Sequence, residues 1–361
     1  MGLQLHGFEM VQAGQPLREA VREPGELAAG EALVEVVGCG LCHTDLGFLY
    51  EGVRTRHPLP LILGHEIAGV VRAAGAAGEH LVGQAVVVPA VIPCGECADC
   101  RAGHTMICKA QVMPGNDRDG GFASHVVVPS RGLCPVPGYS GDPDAPLGEA
   151  GLSLRHLAVI ADAVSTPYQA IRRAGVSRGE LVVVIGLGGV GGYAAQIALA
   201  LGALVVGIDL SPARLQAARE RGAGLVLDPR AQSPRELKKA IAAWAAEAGA
   251  PATRWTILEC SGSAAGQATA WELLVHGATL CVVGFTMDKL ELRLSNLMAY
   301  DARALGNWGC APALYPEIVE LALSGAIDLR GQTELRPLSA IAEAFEDVHE
   351  HRVQRRIVLV P

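Results

Sequence analysis

Apolar residues change their pattern about halfway along the chain. Up to about residue 160 they occur in short runs between glycine- and proline-rich turns, which predicts short strands at 32–37, 67–71 and 84–88. From about residue 164, apolar strands alternate with alanine-rich helices. This alternation predicts a parallel, doubly wound sheet, so the chain is expected to have an α/β fold in its second part.

The individual elements of the second part follow from the same pattern. Strands are predicted at 181–185, 204–208, 255–260 and 278–283, with helices at 189–201, after Ser211-Pro212, and at about 264–276. The tail from Trp308 contains one or two predicted helices and a last strand at 356–360, and it is expected to return to the first domain. The predicted domains are therefore 1–163 with 309–361, and 164–308.

Length, charge and hydropathy narrow the class of protein. A chain of 361 residues is long enough for two domains with their own cores. The net charge of −8 argues against a nucleic-acid partner, because phosphate binding requires clustered lysine and arginine. No apolar run approaches the roughly 20 residues of a membrane span, and the N-terminus does not resemble a signal peptide. A cytoplasmic protein that does not contact a membrane is expected.

Four cysteines lie close together in the first domain, within a lobe at about 92–110. Cys94, Cys97, Cys100 and Cys108 have a spacing typical of tetrahedral zinc ligation, and a site with four thiolates has no open position for substrate. Two disulfides or an iron–sulfur cluster are the alternatives. The other six cysteines are scattered through apolar stretches, which argues against disulfides. The fourth cysteine is not followed by proline, which argues against an iron–sulfur cluster. A structural zinc is therefore predicted.

A glycine-rich turn follows the strand at 181–185. Gly186-x-Gly188-Gly189-Val190-Gly191 has the dinucleotide-binding pattern, in which glycines allow a tight turn and a close approach of the pyrophosphate to a helix N-terminus. Asp209 ends the next strand, where a carboxylate binds ribose hydroxyls and repels the extra phosphate of NADP. NAD is therefore the predicted cofactor, with Arg214 near the adenosine. The alternative is that Asp209 only caps the helix at 211.

A thiolate and an imidazole occur at the ends of two predicted strand segments, in Cys42-His43-Thr44-Asp45 and Gly64-His65-Glu66. Such a pair from separate segments is typical of a catalytic zinc site, which needs three protein ligands and an open position.

Together with the cysteine lobe and the dinucleotide motif, these segments resemble the zinc-containing medium-chain alcohol dehydrogenases over essentially the whole chain. The resemblance implies a β-rich GroES-like catalytic domain followed by a Rossmann domain. It assigns Cys42 and His65 as zinc ligands, Glu66 as an acidic neighbour able to ligate, Asp45 as the partner of the histidine, and Thr44 as the hydroxyl that relays the alcohol proton.

The third zinc ligand of that family is usually a cysteine, and Asp162 occupies its position here. Zinc accepts an oxygen ligand at about 2.0–2.2 Å, and Cys42 with Asp162 keeps the formal charge of two thiolates. The alternative is that Asp162 caps the following helix and the catalytic zinc is lost.

The resemblance also implies roles around the cofactor. Arg356 corresponds to an arginine that contacts the pyrophosphate, with Arg355 an alternative, and His43 lies either in the proton relay or near the cofactor phosphates. Gly47 replaces a histidine that completes the relay in many relatives. A homodimer or homotetramer is expected. The residues implied to line the nicotinamide include Thr166, Val283 and Phe285.

A narrower resemblance, which includes Asp162, is to the 6-hydroxycyclohex-1-ene-1-carbonyl-CoA dehydrogenases of anaerobic benzoyl-CoA degradation. It implies a CoA-thioester substrate whose ring alcohol is oxidised, through an alkoxide stabilised by zinc and hydride transfer to NAD. Arg54 and Arg56 are candidates for contacting the CoA phosphates, or are solvated loop residues. The alternatives are a general secondary-alcohol or polyol dehydrogenase, a zinc-free quinone-reductase-like enzyme, and a zinc-knuckle interaction protein.

Overall fold

The computed structural model describes residues 3–361 and divides them into two compact units. Unit 1 comprises residues up to Ser165 together with Gly309–Pro361, and unit 2 comprises Thr166–Trp308. The first boundary lies two residues beyond the one expected from the sequence, in the first turn of a helix.

Residues 3–361 contain sixteen strands and ten α-helices, numbered here in chain order. The strands are β1 Leu5–Met10, β2 Arg18–Arg22, β3 Glu31–Gly40, β4 Leu61–Ile62, β5 Glu66–Ala74, β6 Ala85–Val88, β7 His125–Pro129, β8 Cys134–Pro135, β9 Leu181–Ile185, β10 Leu204–Ile208, β11 Leu225–Leu227, β12 Thr256–Glu259, β13 Thr279–Val282, β14 Arg303–Gly306, β15 Thr333–Pro337 and β16 Arg356–Val360. The helices are α1 His43–Tyr50, α2 Ala98–Arg101, α3 Ser165–Ala174, α4 Gly191–Ala200, α5 Pro212–Glu220, α6 Pro234–Glu247, α7 Ala264–Glu272, α8 Ser295–Ala299, α9 Tyr315–Leu323 and α10 Ile341–His349.

Unit 1 is built on two sheets. The smaller has the order β2-β1-β4, and the larger has the order β15-β16-β3-β5-β6-β8, with β7 also paired to β3. Strand β3 is buried along nearly its whole length because its neighbours β5, β7 and β16 surround it. Its hydrophobic residues join a core that includes Phe122 and Phe345. The end of β3 and the start of β5 are thereby held side by side.

Unit 2 is a six-stranded parallel sheet in the order β11-β10-β9-β12-β13-β14. Strand β9 is apolar and buried at all five positions, as expected for a central strand covered on both faces. Helix starts follow local signals, since Ser211 caps α5 and Ser233 forms a capping box at α6, each followed by proline. The chain order reverses between β9 and β12, where open α/β sheets bind their ligands.

The predicted fold class is confirmed by this architecture. Strands β9, β10 and β16 have the predicted bounds, and the predicted helix at 264–276 ends earlier, at Glu272. Within residues 3–361, no helix has the length and apolarity that a membrane crossing requires.

Candidate active site and zinc centres

The four clustered cysteines form a compact group of thiols in unit 1. The Sγ atoms of Cys94 and Cys100 are 3.9 Å apart, and those of Cys97 and Cys108 are 3.8 Å apart. In a tetrahedron with metal–sulfur distances of about 2.3 Å, neighbouring sulfurs are about 3.8 Å apart. All ten cysteines are free, so none of these thiols is used in a disulfide. The donors therefore fit a structural zinc.

Backbone amides stabilise the negative charge of this group. The amide of Cys97 donates to the Cys94 sulfur at 3.3 Å, and that of Cys94 donates to the Cys108 sulfur at 3.4 Å. Hydrogen bonds from the Glu96 and Cys97 backbone lower the pKa of Cys94 to about 6. Cys94 is therefore largely a thiolate at neutral pH, whereas burial raises the pKa of Cys100 to about 12, so that thiol would lose its proton as a metal binds.

Asp45 connects the two segments that carry the predicted catalytic ligands. One carboxylate oxygen accepts the amide of Cys42 at 3.0 Å, and the other accepts the amide of Gly64 at 3.2 Å. The second oxygen also lies 3.3 Å from Nδ1 of His65. Asp45 is fully buried, and it lies in the first turn of α1, which begins directly after Cys42. It thus orients His65 while holding the two segments together.

The predicted catalytic ligands meet at one point in unit 1. Cys42, His65, Glu66 and Asp162 each offer a ligand atom, and these atoms lie within 4.8 Å of one another. Oδ2 of Asp162 is 3.6 Å from the Cys42 sulfur and 3.7 Å from Nε2 of His65. Both ring nitrogens of His65 are buried, and neither makes a well-aligned hydrogen bond within residues 3–361. An imidazole nitrogen left in this way beside a thiolate and a carboxylate fits a metal ion.

Glu66 is also engaged by a buried arginine. Nε of Arg356 donates to Oε2 of Glu66 at 2.7 Å, and Nη2 donates to Oε1. A Cβ at position 40 would lie 2.1 Å from Oε2 of Glu66, so a glycine at this position leaves the space that the Glu66 carboxylate occupies. The structure therefore pairs Arg356 with Glu66, and the predicted contact of Arg356 with the dinucleotide stays a prediction.

Burial and neighbouring charge shift the ionisable groups of this cluster. Burial raises the pKa of Glu66 to about 7 even though Arg356 opposes that shift. Burial alone would lower the pKa of His65, but the charge of Asp45 and the adjacent Asp162 raise it well above its ordinary value. The Glu66 shift reflects mainly burial, and the His65 shift reflects the neighbouring carboxylates, whose negative charge a bound divalent cation would neutralise.

In unit 2, the glycine-rich turn lies at the carboxyl end of β9. A Cβ at position 191 would be 1.7 Å from the carbonyl oxygen of Gly186, so Gly191 allows α4 to start against the turn. A Cβ at position 188 would meet only the Arg214 guanidinium, at 3.6 Å or more. Gly189 and Val190 complete the turn, and Val190 is the N-cap of α4. This arrangement leaves backbone N–H groups at a helix N-terminus for a phosphate.

Asp209 ties the turn to the end of β10. Its Oδ2 accepts the amide of Leu187 at 2.6 Å, and its Oδ1 accepts the amide of Ser211 at 2.8 Å. Arg214 lies 3.9 Å from the same carboxylate. The cap of α5 is the Ser211 side chain, which accepts from the Arg214 amide. Asp209 therefore links the glycine-rich turn to the residues that follow β10, while Ser211 provides the cap of α5.

The remaining predicted residues lie at separate places. Thr44 Oγ1 is 3.6 Å from the Cys42 sulfur, whereas His43 is exposed and stacks on His351 with ring centroids 6.5 Å apart. In unit 2, the Thr166 carbonyl accepts from the Asn307 side chain. Val283 and Phe285 follow β13, and Phe285 is 67% exposed.

Two buried residues have roles that sequence reasoning missed. Glu259 ends β12, and its Oε1 accepts from both the amide and the hydroxyl of Ser261, beside the glycine-rich turn. An acidic residue that ends an apolar parallel strand was an available signal. Tyr315 donates a hydrogen bond to the carbonyl of Ala161, next to Asp162. No motif marks Tyr315, so only the tertiary structure reveals it.

A thiolate, imidazole and carboxylate cluster in one unit, and a dinucleotide turn in the other, define a zinc-dependent nicotinamide dinucleotide oxidoreductase. Residues 28–138 match the alcohol dehydrogenase GroES-like domain, and residues 189–324 match the zinc-binding dehydrogenase domain. An alcohol dehydrogenase of Geobacillus stearothermophilus is 29% identical over 96% of this chain and 97% of its own length.

D-arabinose 1-dehydrogenase (NADP(+)) of Saccharolobus solfataricus is 30% identical over 92% of this chain and 90% of its own length. The crystal structure of galactitol-1-phosphate dehydrogenase from Escherichia coli covers 99% of this chain and 100% of its own, with 25% identity and a TM-score of 0.86. The chain belongs to the zinc-type medium-chain alcohol dehydrogenase family. It is an alcohol dehydrogenase whose cofactors are zinc and a nicotinamide dinucleotide.

Proposed function

We propose that the chain oxidises the ring hydroxyl of 6-hydroxycyclohex-1-ene-1-carbonyl-CoA with NAD, forming 6-oxocyclohex-1-ene-1-carbonyl-CoA in anaerobic benzoyl-CoA degradation. The observation that carries this proposal is the carboxylate of Asp162 beside Cys42 and His65. An aspartate at this ligand position is a departure from most of the family, and it belongs to the narrower sequence resemblance to dehydrogenases of this substrate.

The residues of unit 1 prepare the site for an alcohol. When bound, zinc polarises an alcohol hydroxyl and stabilises negative charge on its oxygen. Cys42, His65 and Asp162 would hold that ion, while Asp45 fixes the imidazole so that Nε2 faces the other ligand atoms. Glu66 is held by Arg356 on the buried side of the cluster.

Thr44 is the proposed relay for the alcohol proton: its hydroxyl, 3.6 Å from the Cys42 sulfur, accepts that proton while passing its own proton on. His43 is exposed and is the proposed exit of the proton to solvent in place of the histidine missing at Gly47. A bound nicotinamide would supply the hydride acceptor. The carboxylate of Asp209 supports NAD over NADP, since it would repel a ribose 2′-phosphate.

A CoA thioester needs cationic partners for its phosphates, and the loop after α1 supplies one. The Arg54 side chain is exposed and makes no ion pair in residues 3–361. Arg56, by contrast, pairs with Asp117 at 3.2 Å, and its amide donates to the side chain of Asn116. We therefore assign the phosphate contact to Arg54 and a loop-fixing role to Arg56.

The second candidate is a sugar or polyol dehydrogenase. It is supported by the two relatives described above that act on an arabinose and on a galactitol phosphate. The third candidate is a quinone-reductase-like enone reductase without a catalytic zinc. Metal analysis distinguishes it, because only the cysteine lobe would then carry zinc.

The test is a steady-state assay of NADH formation. The cyclic hydroxyenoyl-CoA, its free acid, cyclohexanol, benzyl alcohol and galactitol are compared at equal concentrations. The proposal expects a kcat/KM for the CoA thioester at least about a hundredfold above those of the alcohols without CoA, since each tenfold step corresponds to about 1.4 kcal/mol of binding energy. Equal values for galactitol and the CoA thioester would contradict it.

Two variants test the CoA contact separately. Arg54→Ala is expected to raise KM for the thioester about tenfold and leave kinetics with cyclohexanol unchanged, because a single charge-assisted phosphate contact is lost. Arg56→Ala is the matched control, with a smaller effect that is the same for both substrates. Assembly into a homodimer or homotetramer stays a prediction, which light scattering tests.

A further inference from the structure

A hydroxyl from the C-terminal part of unit 1 meets the backbone next to Asp162. Tyr315 is the first residue of α9 and is completely buried. Its hydroxyl donates to the carbonyl oxygen of Ala161 at 2.5 Å. A buried tyrosine hydroxyl requires a partner, and here the partner is the last residue of the short 3₁₀ helix at Leu154–Ala161.

The carbonyl of Ala161 accepts hydrogen bonds from distant parts of the chain. Besides the Tyr315 hydroxyl, it accepts the amide of Ala90 at 3.2 Å. The hydroxyl of the completely buried Ser165 has a single proton and lies 3.1 Å from this carbonyl, 3.5 Å from that of Asp162 and 3.2 Å from the Tyr315 hydroxyl. Tyr315 and Ala90 therefore hold the carbonyl of Ala161, with Ser165 as a further donor within reach.

Fixing this carbonyl fixes the peptide plane that leads into Asp162. The carbonyl of Ala161 and the N–H of Asp162 belong to one planar unit, so holding the oxygen also sets the position of the Asp162 Cα. The backbone leaves the helical conformation at Asp162, with φ −140° and ψ −59°. The side chain of Asp162 therefore extends from a Cα whose position is set through the Ala161 peptide, and the carbonyl of Asp162 itself lies 3.5 Å from the Ser165 hydroxyl.

We propose that Tyr315 is a positioning residue that aims the Asp162 carboxylate at Cys42 and His65 and thereby sets the affinity of the catalytic zinc site. Removing a hydrogen-bonding group that orients a metal ligand typically lowers metal affinity 10–100-fold. The inference rests on Asp162 being a zinc ligand, and it does not depend on which alcohol is the substrate.

The test measures zinc affinity directly. Tyr315→Phe removes only the hydroxyl, and Ala161 keeps two other donors, so the fold is expected to persist. Zinc is titrated against a chromogenic chelator in the full chain. The expected result is one zinc held as in the parent, at the cysteine lobe, and a second zinc held at least tenfold more weakly. In the cobalt-substituted protein, the visible bands of the second site are expected to shift.

Thr333→Val is the matched control. Thr333 is a buried residue of unit 1 whose hydroxyl donates to the Leu329 carbonyl at 2.9 Å, so this variant loses the same kind of bond at another place. The proposal is overturned if Tyr315→Phe binds the second zinc like the parent, or if Thr333→Val weakens it equally. Asp162→Ala is assayed alongside, and retention of two zincs there would remove the ligand on which the inference rests.

Discussion

Two glycines of the dinucleotide turn are expected to differ in how the same substitution affects the stability of unit 2. In Gly191→Ala, the new Cβ would lie 1.7 Å from the carbonyl oxygen of Gly186, closer than side chains approach backbone atoms. The turn must move by about 1.3 Å to bring that contact to 3.0 Å. In Gly188→Ala, the new Cβ meets only the mobile end of Arg214 at an ordinary distance. Gly191→Ala is therefore expected to distort unit 2, and Gly188→Ala to leave it intact.

The energetic cost follows from packing. Overpacking of this kind costs about 1–3 kcal/mol, and alanine regains up to about 1 kcal/mol of helix propensity at the start of α4. After that gain, a net loss of up to about 2 kcal/mol remains, which lowers the melting temperature of a domain of this size by up to about 8 °C. Because this turn is the predicted pyrophosphate site, a displacement of this size is also expected to weaken dinucleotide binding at least about tenfold, or about 1.4 kcal/mol.

Tryptophan fluorescence reports on this unit selectively, because the four tryptophans of the chain all lie within Thr166–Trp308. Thermal unfolding followed at this signal gives the stability, and quenching by NADH gives the dissociation constant. Gly188→Ala is expected to unfold at the parental temperature and to lose only affinity for NADH. The reasoning is refuted if Gly191→Ala unfolds at the parental temperature and binds NADH within twofold of the parent.

Three further predictions concern the zinc sites and a buried carboxyl. Asp162→Ala is expected to reduce the zinc content from two ions per chain to one and to lower kcat/KM at least about a hundredfold. Asp162→Cys should keep both ions, since a thiolate is an equivalent ligand. Equal zinc contents in the two variants, measured by atomic emission, would contradict the ligand assignment. Cys100→Ala should release the other zinc and expose the lobe to trypsin at Arg101 and Lys109, because a closed metal site supplies folding energy; parental resistance to trypsin would speak against this. Burial raises the pKa of Glu259 above its ordinary value of 4.5, so the folded chain binds this proton more tightly and loses stability as the pH rises through the folded pKa. Glu259→Gln removes that loss, and its stability relative to the parent should increase as the pH rises above about 4.5 in denaturant titrations. A stability difference that does not change with pH would contradict this prediction.

Local chemistry made several parts of this protein predictable. The strand-turn-helix pattern with Gly186, Gly188 and Gly191 is a contiguous segment, so its structure depends on neighbouring residues and could be foreseen. The same holds for the cysteine lobe, whose ligands lie within fifteen residues, Cys94 to Cys108, and are brought together by short turns. The catalytic ligands are farther apart, and sequence resemblance rather than spacing brought Asp162 into that set.

The contacts that support the catalytic cluster were decided only by tertiary structure. Arg356 reaches Glu66 across 290 positions of sequence, and Tyr315 reaches Ala161 across 154. Neither pair has a local pattern, because burial and partner are set by how β16 and α9 pack against the rest of unit 1. A sequence motif can specify which atoms are able to bind zinc or a phosphate. The direction in which those atoms are held depends on distant backbone and side-chain donors, which become neighbours only when the core forms.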